Sequence, residues 1–276
     1  MNFKKCNEFV KKFESVINNP VKTKSSVYYT GVDLGTACVV MAVLDENYNP
    51  VAGAYEYSDV VKDGMVVDYI GAINIVRKMK EKIEASLQTT LSYAAAAIPP
   101  GTDRLDGGAV RNVVEAAGFE VTSLLDEPTA ANKLLKLENG AVVDIGGGTT
   151  GISIIKNGEV IAVDDEPTGG THFTLVLSGA YKIPFDEADL FKRNVDNHKE
   201  IFPVVKPVVD KIATIVSEKT SSNNIEELVL VGGSSCLTGI EEAIEKEIGI
   251  RTTKPDNPLF VTPLGIALSC TDEALN

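Results

Sequence analysis

A short motif of aspartate, glycine and threonine occurs twice in this chain of 276 residues, each time after an apolar segment. Residues 32–36 read VDLGT and residues 143–150 read VDIGGGTT. A second apolar segment, a turn and a third apolar segment follow each copy, which predicts three meandering strands with the motif in the first turn. One such turn would be weak evidence, because glycine often marks only a bulge or a tight turn. Two copies at matched positions indicate an imperfect internal duplication.

Both halves continue with helices and further strands, so the chain reads as α/β. In the first half we expect strands at 27–33, 39–44, 51–57, 93–98 and 120–125 and helices at 66–87, 105–117 and 129–137. In the second half we expect strands at 141–145, 149–156, 159–165 and 228–231 and helices at 171–179, 185–193, 203–217 and 237–247. Pro203 and Pro207 are expected in or near the first turn of their helix.

The first 24 residues differ from the rest of the chain in charge and in pattern. They hold six lysines and two glutamates, a charge of +4, and their apolar residues recur at the spacing of one helix face. Asn18, Asn19 and Pro20 are expected to end this helix. The favoured interpretation is a helix that packs its apolar stripe on the body of the protein. A helix that docks on a partner protein is the alternative.

Charge and composition exclude several classes of function. The chain has 26 Lys and Arg against 39 Asp and Glu, a net charge of −13, so its surface would on average repel a nucleic acid. No apolar run reaches the length of a membrane span and the N-terminus does not read as a signal peptide, so a cytoplasmic protein is expected. The four cysteines form no zinc or redox motif. The two histidines, His172 and His198, are expected to be structural.

The duplicated motif suits the binding of a polyphosphate complexed with Mg²⁺. Glycine lets backbone N–H groups approach phosphate oxygens, threonine adds a hydroxyl donor, and aspartate orients the hydrated metal ion. Neither copy is a Walker A sequence, and neither leads directly into a helix as a G-x-G-x-x-G loop does. Because both loops lack lysine and arginine, we expect the affinity for such a ligand to depend strongly on Mg²⁺.

Two further segments have the composition to complete such a site. Residues 124–131 (LLDEPTAA) place acids where a strand meets a helix, and residues 229–235 (VLVGGSS) form a strand followed by a turn of small residues. Glu127 could orient a water molecule, although an acid at a helix start is also favoured by the helix dipole alone. The small-residue turn could let a nucleoside lie against the backbone.

Taken in order, these motifs resemble the ATPase superfamily of actin, sugar kinases and heat-shock chaperones. The segments that carry the resemblance are residues 31–36 (GVDLGT), 126–131 (DEPTAA), 144–149 (DIGGGT), 169–170 (GG), 231–234 (VGGS) and 263–267 (PLGIA). The resemblance implies two ribonuclease-H-like domains, each a mixed sheet with helices, and a nucleotide cleft between them. It also implies an N-terminal amphipathic helix over 1–24, domain I over 25–138 with 262–276, and domain II over 139–261.

Within that superfamily the chain is most similar to the EutJ family, the chaperonin-like proteins of bacterial ethanolamine utilisation. The basic leading helix, residues 142–153 (VVDIGGGTTGIS) and residues 165–172 (DEPTGGTH) carry this similarity. The family implies an ATP-binding, chaperone-like accessory protein that protects or reactivates ethanolamine ammonia-lyase, or handles proteins of its bacterial microcompartment. The implied location is the cytoplasm or the microcompartment, and the implied cofactors are ATP or ADP with Mg²⁺.

The resemblance also implies a set of site residues. Asp33 and Asp144 would hold Mg²⁺ through water, Asp144 would take part in catalysis, and Glu127 would orient the attacking water. The phosphate contacts would be Gly35, Thr36, Gly146, Gly147, Gly148, Thr149 and Thr150. The nucleoside would be framed by Gly169, Gly170, Gly232, Gly233 and Ser234, and its ribose would be contacted by Asp189 and Lys192.

Two departures from the superfamily pattern bear on hydrolysis. Gly151 follows the second motif, where the chaperones have an aspartate and the bacterial actin-like filament proteins a glutamate, so one candidate catalytic acid is missing. The chaperones also use a lysine from an inserted subdomain, for which Lys62 is the only local candidate. We therefore expect ATP hydrolysis to be weak or absent, while nucleotide binding survives both losses.

Three functions remain open on the sequence. The first is the ATP-binding accessory protein of ethanolamine catabolism. The second is an actin-like scaffold or filament-type ATPase of the cell-division or pilus-assembly type. Residues 62–68 (KDGMVVD) resemble the equivalent stretch of those proteins. The third and weakest is a small-molecule kinase, because the chain is short for a fold that must also hold a substrate. A heat-shock chaperone in the full sense is not expected, since no peptide-binding domain follows residue 265.

Overall fold

The structure is a computed structural model that describes residues 3–62, 64–100, 104–223 and 225–270. The chain forms two compact units, residues 1–136 with 260–276 and residues 137–259. The domain boundaries predicted from the sequence stay a prediction, because compactness does not show which segments fold independently.

The first unit is built on a five-stranded sheet. Its strands are β1 (Tyr29–Leu34), β2 (Cys38–Leu44), β3 (Pro50–Tyr57), β6 (Tyr93–Ile98) and β7 (Glu120–Asp126). They lie in the order β3-β2-β1-β6-β7, with β1, β2 and β3 antiparallel and with β6 and β7 parallel to β1. A short hairpin, β4 (Val61–Lys62) and β5 (Met65–Val66), lies between β3 and the first long helix. The carboxyl ends of β1, β6 and β7 therefore share one edge of the sheet.

Four helices of this unit pack against its sheet. They are α2 (Tyr69–Leu87), α3 (Arg104–Ala116), α4 (Glu127–Leu135) and α9 (Val261–Ser269). Apolar residues of β1 and β2, such as Val32 and Met41, form one core with α2 and α3. Helices α4 and α9 pack so closely that a Cβ added at Gly265 would overlap the carbonyl oxygen of Ala130. Small residues at this contact let the two helix backbones approach each other.

The N-terminal helix, α1 (Phe3–Ile17), packs on β3 of the same unit. Its buried residues are Cys6, Val10, Phe13 and Val16, which is the apolar stripe of the sequence pattern. The Phe13 side chain is fully buried and meets Phe260 edge to face, with ring centroids 5.3 Å apart. The apolar stripe is thus covered within its own unit, as the favoured interpretation predicted.

The second unit repeats the sheet of the first. Its strands are β8 (Asn139–Ile145), β9 (Thr150–Lys156), β10 (Glu159–Glu166), β11 (Glu227–Val231) and β12 (Arg251–Thr253), in the order β10-β9-β8-β11-β12. Here β8, β9 and β10 are antiparallel, and β11 and β12 run parallel to β8. The helices are α5 (Gly170–Tyr181), α6 (Phe185–Arg193), α7 (His198–Thr220) and α8 (Ile240–Ile248). This shared topology confirms the internal duplication.

Three details differ from the sequence-based expectations. Helix α7 begins at His198, so Pro203 and Pro207 lie inside it and not in or near its first turn. Burial of His198 and Ile201 on the core extends the helix in the N-terminal direction, and this outweighs the missing proline N–H groups. The β4–β5 hairpin and β12 were not expected, because two- and three-residue strands leave too short a pattern to detect.

In the described part of the chain, no helix is both long enough and apolar enough to cross a membrane.

Replacing Phe13 with alanine should destabilise the protein. The change leaves a cavity under α1, with an expected cost of about 3 kcal/mol in the free energy of unfolding and a melting temperature lower by roughly 5–10 °C. Glu8→Ala changes the exposed face of the same helix and is the matched control. A Phe13→Ala protein with the melting temperature of the wild type would contradict this packing.

Candidate functional site

The second copy of the motif forms the tight turn 146–149 between β8 and β9. Gly146 N donates to the carbonyl oxygen of Thr149 at 2.9 Å. The carbonyl oxygen of Gly146 accepts from Gly170 N at 2.9 Å and from Ser234 Oγ at 2.7 Å, and the carbonyl oxygen of Gly147 accepts from Thr171 N at 2.7 Å. Among the described residues, no group accepts from the N–H of Gly147 or Gly148. The carbonyl oxygens of Gly146 and Gly147 are thus bonded inside the unit, while the N–H groups of Gly147 and Gly148 are available to an anion.

Helix α5 begins directly against this turn. Gly169 is its N-cap, and a Cβ there would lie 2.7 Å from the carbonyl oxygen of Gly146 and 2.9 Å from that of Gly147. Only glycine allows this approach. The Thr150 hydroxyl fixes the segment before the helix by donating to the carbonyl oxygen of Thr168 at 2.6 Å. The partial positive charge of a helix N-terminus thus lies beside the turn.

The end of strand β11 lies beside Asp144. Val231 pairs with Asp144 in parallel register, and Gly232 then adopts φ +86°, in the region that favours glycine. A Cβ at Gly232 would overlap Asp144 Oδ1 and lie 2.6 Å from the carbonyl oxygen of Ile145. The Asp144 side chain is buried, with 5 % of the residue exposed. Gly232, Gly233 and Ser234 thus bring backbone and a hydroxyl next to the motif.

Asp189 and Lys192 of α6 form a polar cluster with the start of α5. Lys192 Nζ donates to Asp189 Oδ1 at 2.7 Å, to Thr174 Oγ1 at 2.7 Å and to the carbonyl oxygen of Gly170 at 3.1 Å. Arg193 forms a second ion pair with Asp189. Burial lowers the pKa of Lys192 to about 8. The cluster holds α6 against the first turn of α5.

Both histidines have hydrogen-bond partners within the second unit, which is consistent with the structural role expected from the sequence. His172 Nδ1 accepts from the N–H of Gly169 at 3.3 Å, within the first turn of α5. His198 Nδ1 accepts from the N–H of Thr238 at 3.1 Å, and its Nε2 lies 3.2 Å from the carbonyl oxygen of Lys192. These contacts fit a neutral ring that carries its proton on Nε2. Burial lowers the pKa of His198, which favours the same form.

In the first unit, the predicted residues gather at one edge of the sheet. Asp33 lies near the end of β1, Gly35 and Thr36 lie in the turn to β2, and Glu127 begins α4 after β7. Since β1, β6 and β7 are parallel, these positions share the carboxyl edge, where ligands of open α/β sheets bind. The N-cap of α4 is Asp126, whose Oδ1 accepts from Thr129 N at 2.9 Å. Glu127 lies in the first turn, a position that suits either of its predicted roles.

One acidic residue beside the motif was missed by the sequence reasoning. Asp165 of β10 lies opposite Gly151, which lies opposite Asp144. Its side chain is hydrogen-bonded to Thr149. Burial, together with the negative charges of Asp144, Glu166 and Asp164, raises its pKa to about 6. The strand was predicted, but only the register across three strands shows which of its residues faces the motif.

The predicted residues of the second unit therefore come together around one turn, and those of the first unit share one sheet edge. In the described residues, no group of three or more His, Cys, Asp or Glu side chains could hold a metal ion by itself. A metal ion here would need ligands from phosphate and water in addition to protein carboxylates.

Comparison with known proteins identifies the family. The model for cell division protein FtsA matches residues 141–265, and the model for MreB/Mbl protein matches residues 53–178. The ethanolamine utilization protein EutJ of Salmonella typhimurium is 44 % identical over 262 residues, which cover 94 % of this chain and 92 % of that protein. The chain belongs to the EutJ family.

A crystal structure of a EutJ family member agrees with this assignment. The EutJ protein of Carboxydothermus hydrogenoformans is 46 % identical, with a TM-score of 0.91 over 97 % of this chain and 99 % of that one. MreB5 of Spiroplasma citri, solved with bound AMPPNP, is only 16 % identical but has a TM-score of 0.70 over 91 % of this chain and 97 % of its own. The chain therefore has the actin-like ATPase fold that the resemblance implied.

Asp165→Asn should stabilise the ligand-free protein at neutral pH. Because the folded-state pKa is raised to about 6, Asp165 contributes stability that is present below its ordinary pKa of 3.8 and is lost as the pH rises through 6. Asparagine is neutral and can still accept from Thr149. We expect a free energy of unfolding higher by about 1 kcal/mol at pH 7.5, a value reduced for solvent screening, and little difference at pH 3.5.

Chemical denaturation at the two pH values measures this effect. The matched control is Asp164→Asn, which removes the same charge from the neighbouring position of β10, where Asp164 pairs with Lys219 at 2.9 Å. The control should show no gain in stability. An Asp165→Asn protein no more stable than the wild type at pH 7.5 would contradict the destabilising effect of this carboxylate.

Proposed function

We propose that the protein binds ATP and ADP with Mg²⁺ and uses the nucleotide state to control contact with a protein client in ethanolamine utilisation. The 146–149 turn carries this proposal, since it has free glycine N–H groups, a buried aspartate at its start and a helix N-terminus beside it. Backbone donors of this kind bind phosphate oxygens. The AMPPNP bound to MreB5 supports a nucleotide as the ligand.

The residues present fit a hydrated Mg²⁺ ion. Mg²⁺ in nucleotide sites keeps several waters and takes one or two carboxylates plus phosphate oxygens, and such a site needs no cage of three acidic side chains. Asp144 would provide the carboxylate in the second unit, and Asp33 is proposed for the same role in the first. When bound, the ion would neutralise phosphate charge, which the loops cannot do because they contain no basic side chain.

The other site residues have proposed roles in binding. Gly35, Thr36, Gly146, Gly147, Gly148, Thr149 and Thr150 would contact phosphates, and Gly169, Gly170, Gly232, Gly233 and Ser234 would frame the nucleoside. Asp189 and Lys192 are proposed ribose contacts. A ribose hydroxyl would have to share Asp189 with Lys192 and Arg193, which already bind it. Hydrogen bonds to the carbonyl oxygen of Gly146 fix Gly170 and Ser234 before a ligand arrives, which lowers the entropy cost of binding.

Hydrolysis is proposed to be weak. Glu127 would orient the attacking water, and Gly151 offers no acid at the position where related ATPases have one. A nucleotide-controlled accessory protein needs slow turnover only, because the bound state itself carries the signal.

The proposed client is an enzyme or shell protein of ethanolamine utilisation. The name of the Salmonella typhimurium relative supports this pathway, and ethanolamine ammonia-lyase is the first client to test. A chaperone-like role, protecting or reactivating that enzyme or assisting its microcompartment, follows from the resemblance. We propose a cytoplasmic location, with the bacterial microcompartment as the alternative.

An actin-like scaffold or filament is the second candidate function. The matches to the FtsA and MreB/Mbl models favour it, together with the exposed apolar residues Met65 and Val67 at the β4–β5 hairpin. Sedimentation at high protein concentration with Mg²⁺ and ATP separates the two functions, since the accessory protein stays small and the filament sediments.

Asp144→Asn should abolish tight binding of the nucleotide complex. We expect the affinity for Mg²⁺·ADP, measured by isothermal titration calorimetry, to fall about 100-fold, because a buried charged partner of the metal hydration shell is lost. Asp186→Asn on the exposed start of α6 is the control and should bind as the wild type does. Wild-type protein that binds no nucleotide with Mg²⁺ would overturn the proposed function.

Glu127→Gln should leave nucleotide binding intact and reduce phosphate release at least tenfold, since glutamine cannot act as a base for the water. A steady-state phosphate-release assay, run with and without ethanolamine ammonia-lyase, measures turnover and the effect of the client together. Equal release by the wild type and Glu127→Gln, with measurable turnover in both, would remove Glu127 from the proposed mechanism.

A further inference from the structure

Three neighbouring strands place two aspartates on one face of the second sheet with a glycine between them. Asp144 of β8 pairs with Gly151 of β9, and Gly151 pairs with Asp165 of β10. Directly paired residues point to the same face of a sheet. Gly151 has no side chain, so nothing from β9 stands between the two carboxylates at this level of the sheet.

The opposite face of the same strands is the packed core. Val143 and Ile152 are paired with each other and belong to the apolar cluster of this unit. Asp164, paired with Ile152, lies on that face and forms an ion pair with Lys219 of α7, as does Glu166. The structural role of ion pairing with α7 thus belongs to Asp164 and Glu166. Asp165 points away from them, towards the motif.

Asp165 is incompletely bonded in its own unit. Its side chain is hydrogen-bonded to Thr149 of the turn. Its Oδ1 is buried and has no hydrogen-bond partner among the described residues. A buried carboxylate oxygen without a donor is unfavourable, and the neighbouring charge of Asp144 adds to that cost. Such an atom is expected where a ligand supplies the missing donor or positive charge.

We propose that Asp165 is a second carboxylate of the Mg²⁺·nucleotide site and takes the place that Gly151 leaves without a side chain. One oxygen would hold the Thr149 hydroxyl in position. The other, which is buried in this structure, would be exposed by a rotation of the side chain and would accept a hydrogen bond from the hydration shell of the metal ion. This inference rests on the proposed function, since it assigns a further binding residue to the same site. Asp165 is therefore a positioning and metal-binding residue here, with no covalent step.

Asp165→Asn tests the charge while keeping an acceptor for Thr149. Titration calorimetry with ADP is run in excess Mg²⁺ and again in excess EDTA. We expect the affinity for Mg²⁺·ADP to fall about tenfold, and the affinity for metal-free ADP to stay equal or rise because a negative charge near the phosphates is removed. Asp164→Asn, with the same charge change on the opposite face of β10, should match the wild type in both titrations.

The outcomes separate the two proposals. A wild type that binds no nucleotide would refute the proposed function. If the wild type and the Asp165→Asn variant bind Mg²⁺·ADP equally well, only the proposed role of Asp165 is refuted. Asp165 would then serve only as an acceptor for Thr149. A loss of equal size with and without Mg²⁺ would also contradict a metal-linked role, since it would indicate general damage to the turn.

A second pair of variants moves the carboxylate by one strand. Asp165→Gly alone should bind Mg²⁺·ADP weakly, and Gly151→Asp combined with Asp165→Gly should recover affinity to within about threefold of the wild type. Thermal melts confirm that both variants are folded. A folded double variant that binds no better than Asp165→Gly would refute the claim that Asp165 takes the place of a side chain at position 151. If the double variant does not fold, the Asp165→Asn comparison decides.

Discussion

The carbonyl oxygen of Gly146 is the acceptor on which the candidate site of the second unit depends. It accepts from Gly170 N at the start of α5 and from Ser234 Oγ after β11, so one backbone atom joins three segments that are distant in sequence. A carbonyl oxygen has two lone pairs, and both are used here. The close approaches at Gly169 and Gly232 follow from this arrangement, because any side chain there would push α5 or β11 away from the turn.

Net charge sets the second constraint on this site. The chain carries −13, and Lys192, which lies against the start of α5, already binds Asp189, Thr174 and the Gly170 carbonyl oxygen. A nucleotide would bring further negative charge next to Asp144 and Asp165. Backbone N–H groups can bind the phosphate oxygens but cannot neutralise two carboxylates as well. The proposed binding with a divalent cation would balance these charges, and both the acidic composition and the loop chemistry favour it.

Most of the fold could be predicted from local patterns, while part of the site could not. Strand β6 was expected at 93–98 and is Tyr93–Ile98, because alternation and flanking turn residues mark it locally. The duplication was visible since the same motif begins each half. The position of Asp165 beside the motif was not visible, because only pairing across β8, β9 and β10 shows that it faces Gly151 and Asp144. In sequence it reads as one of three acids, Asp164, Asp165 and Glu166, and periodicity alone does not say which one faces the motif.

The Asp165 carboxylate illustrates why a binding site and a stable fold place opposite demands on the same residue. A neutral side chain at that position would satisfy Thr149 and remove the repulsion from Asp144, so stability alone favours asparagine. In the proposed site, the metal-bound nucleotide would offset the cost of this carboxylate. Asp164 and Glu166 show the contrast, since Lys219 pairs with both of them and they need no ligand. The two faces of β10 thus place their acids in different surroundings: Asp164 and Glu166 pair with a lysine of α7, and Asp165 lies beside the motif.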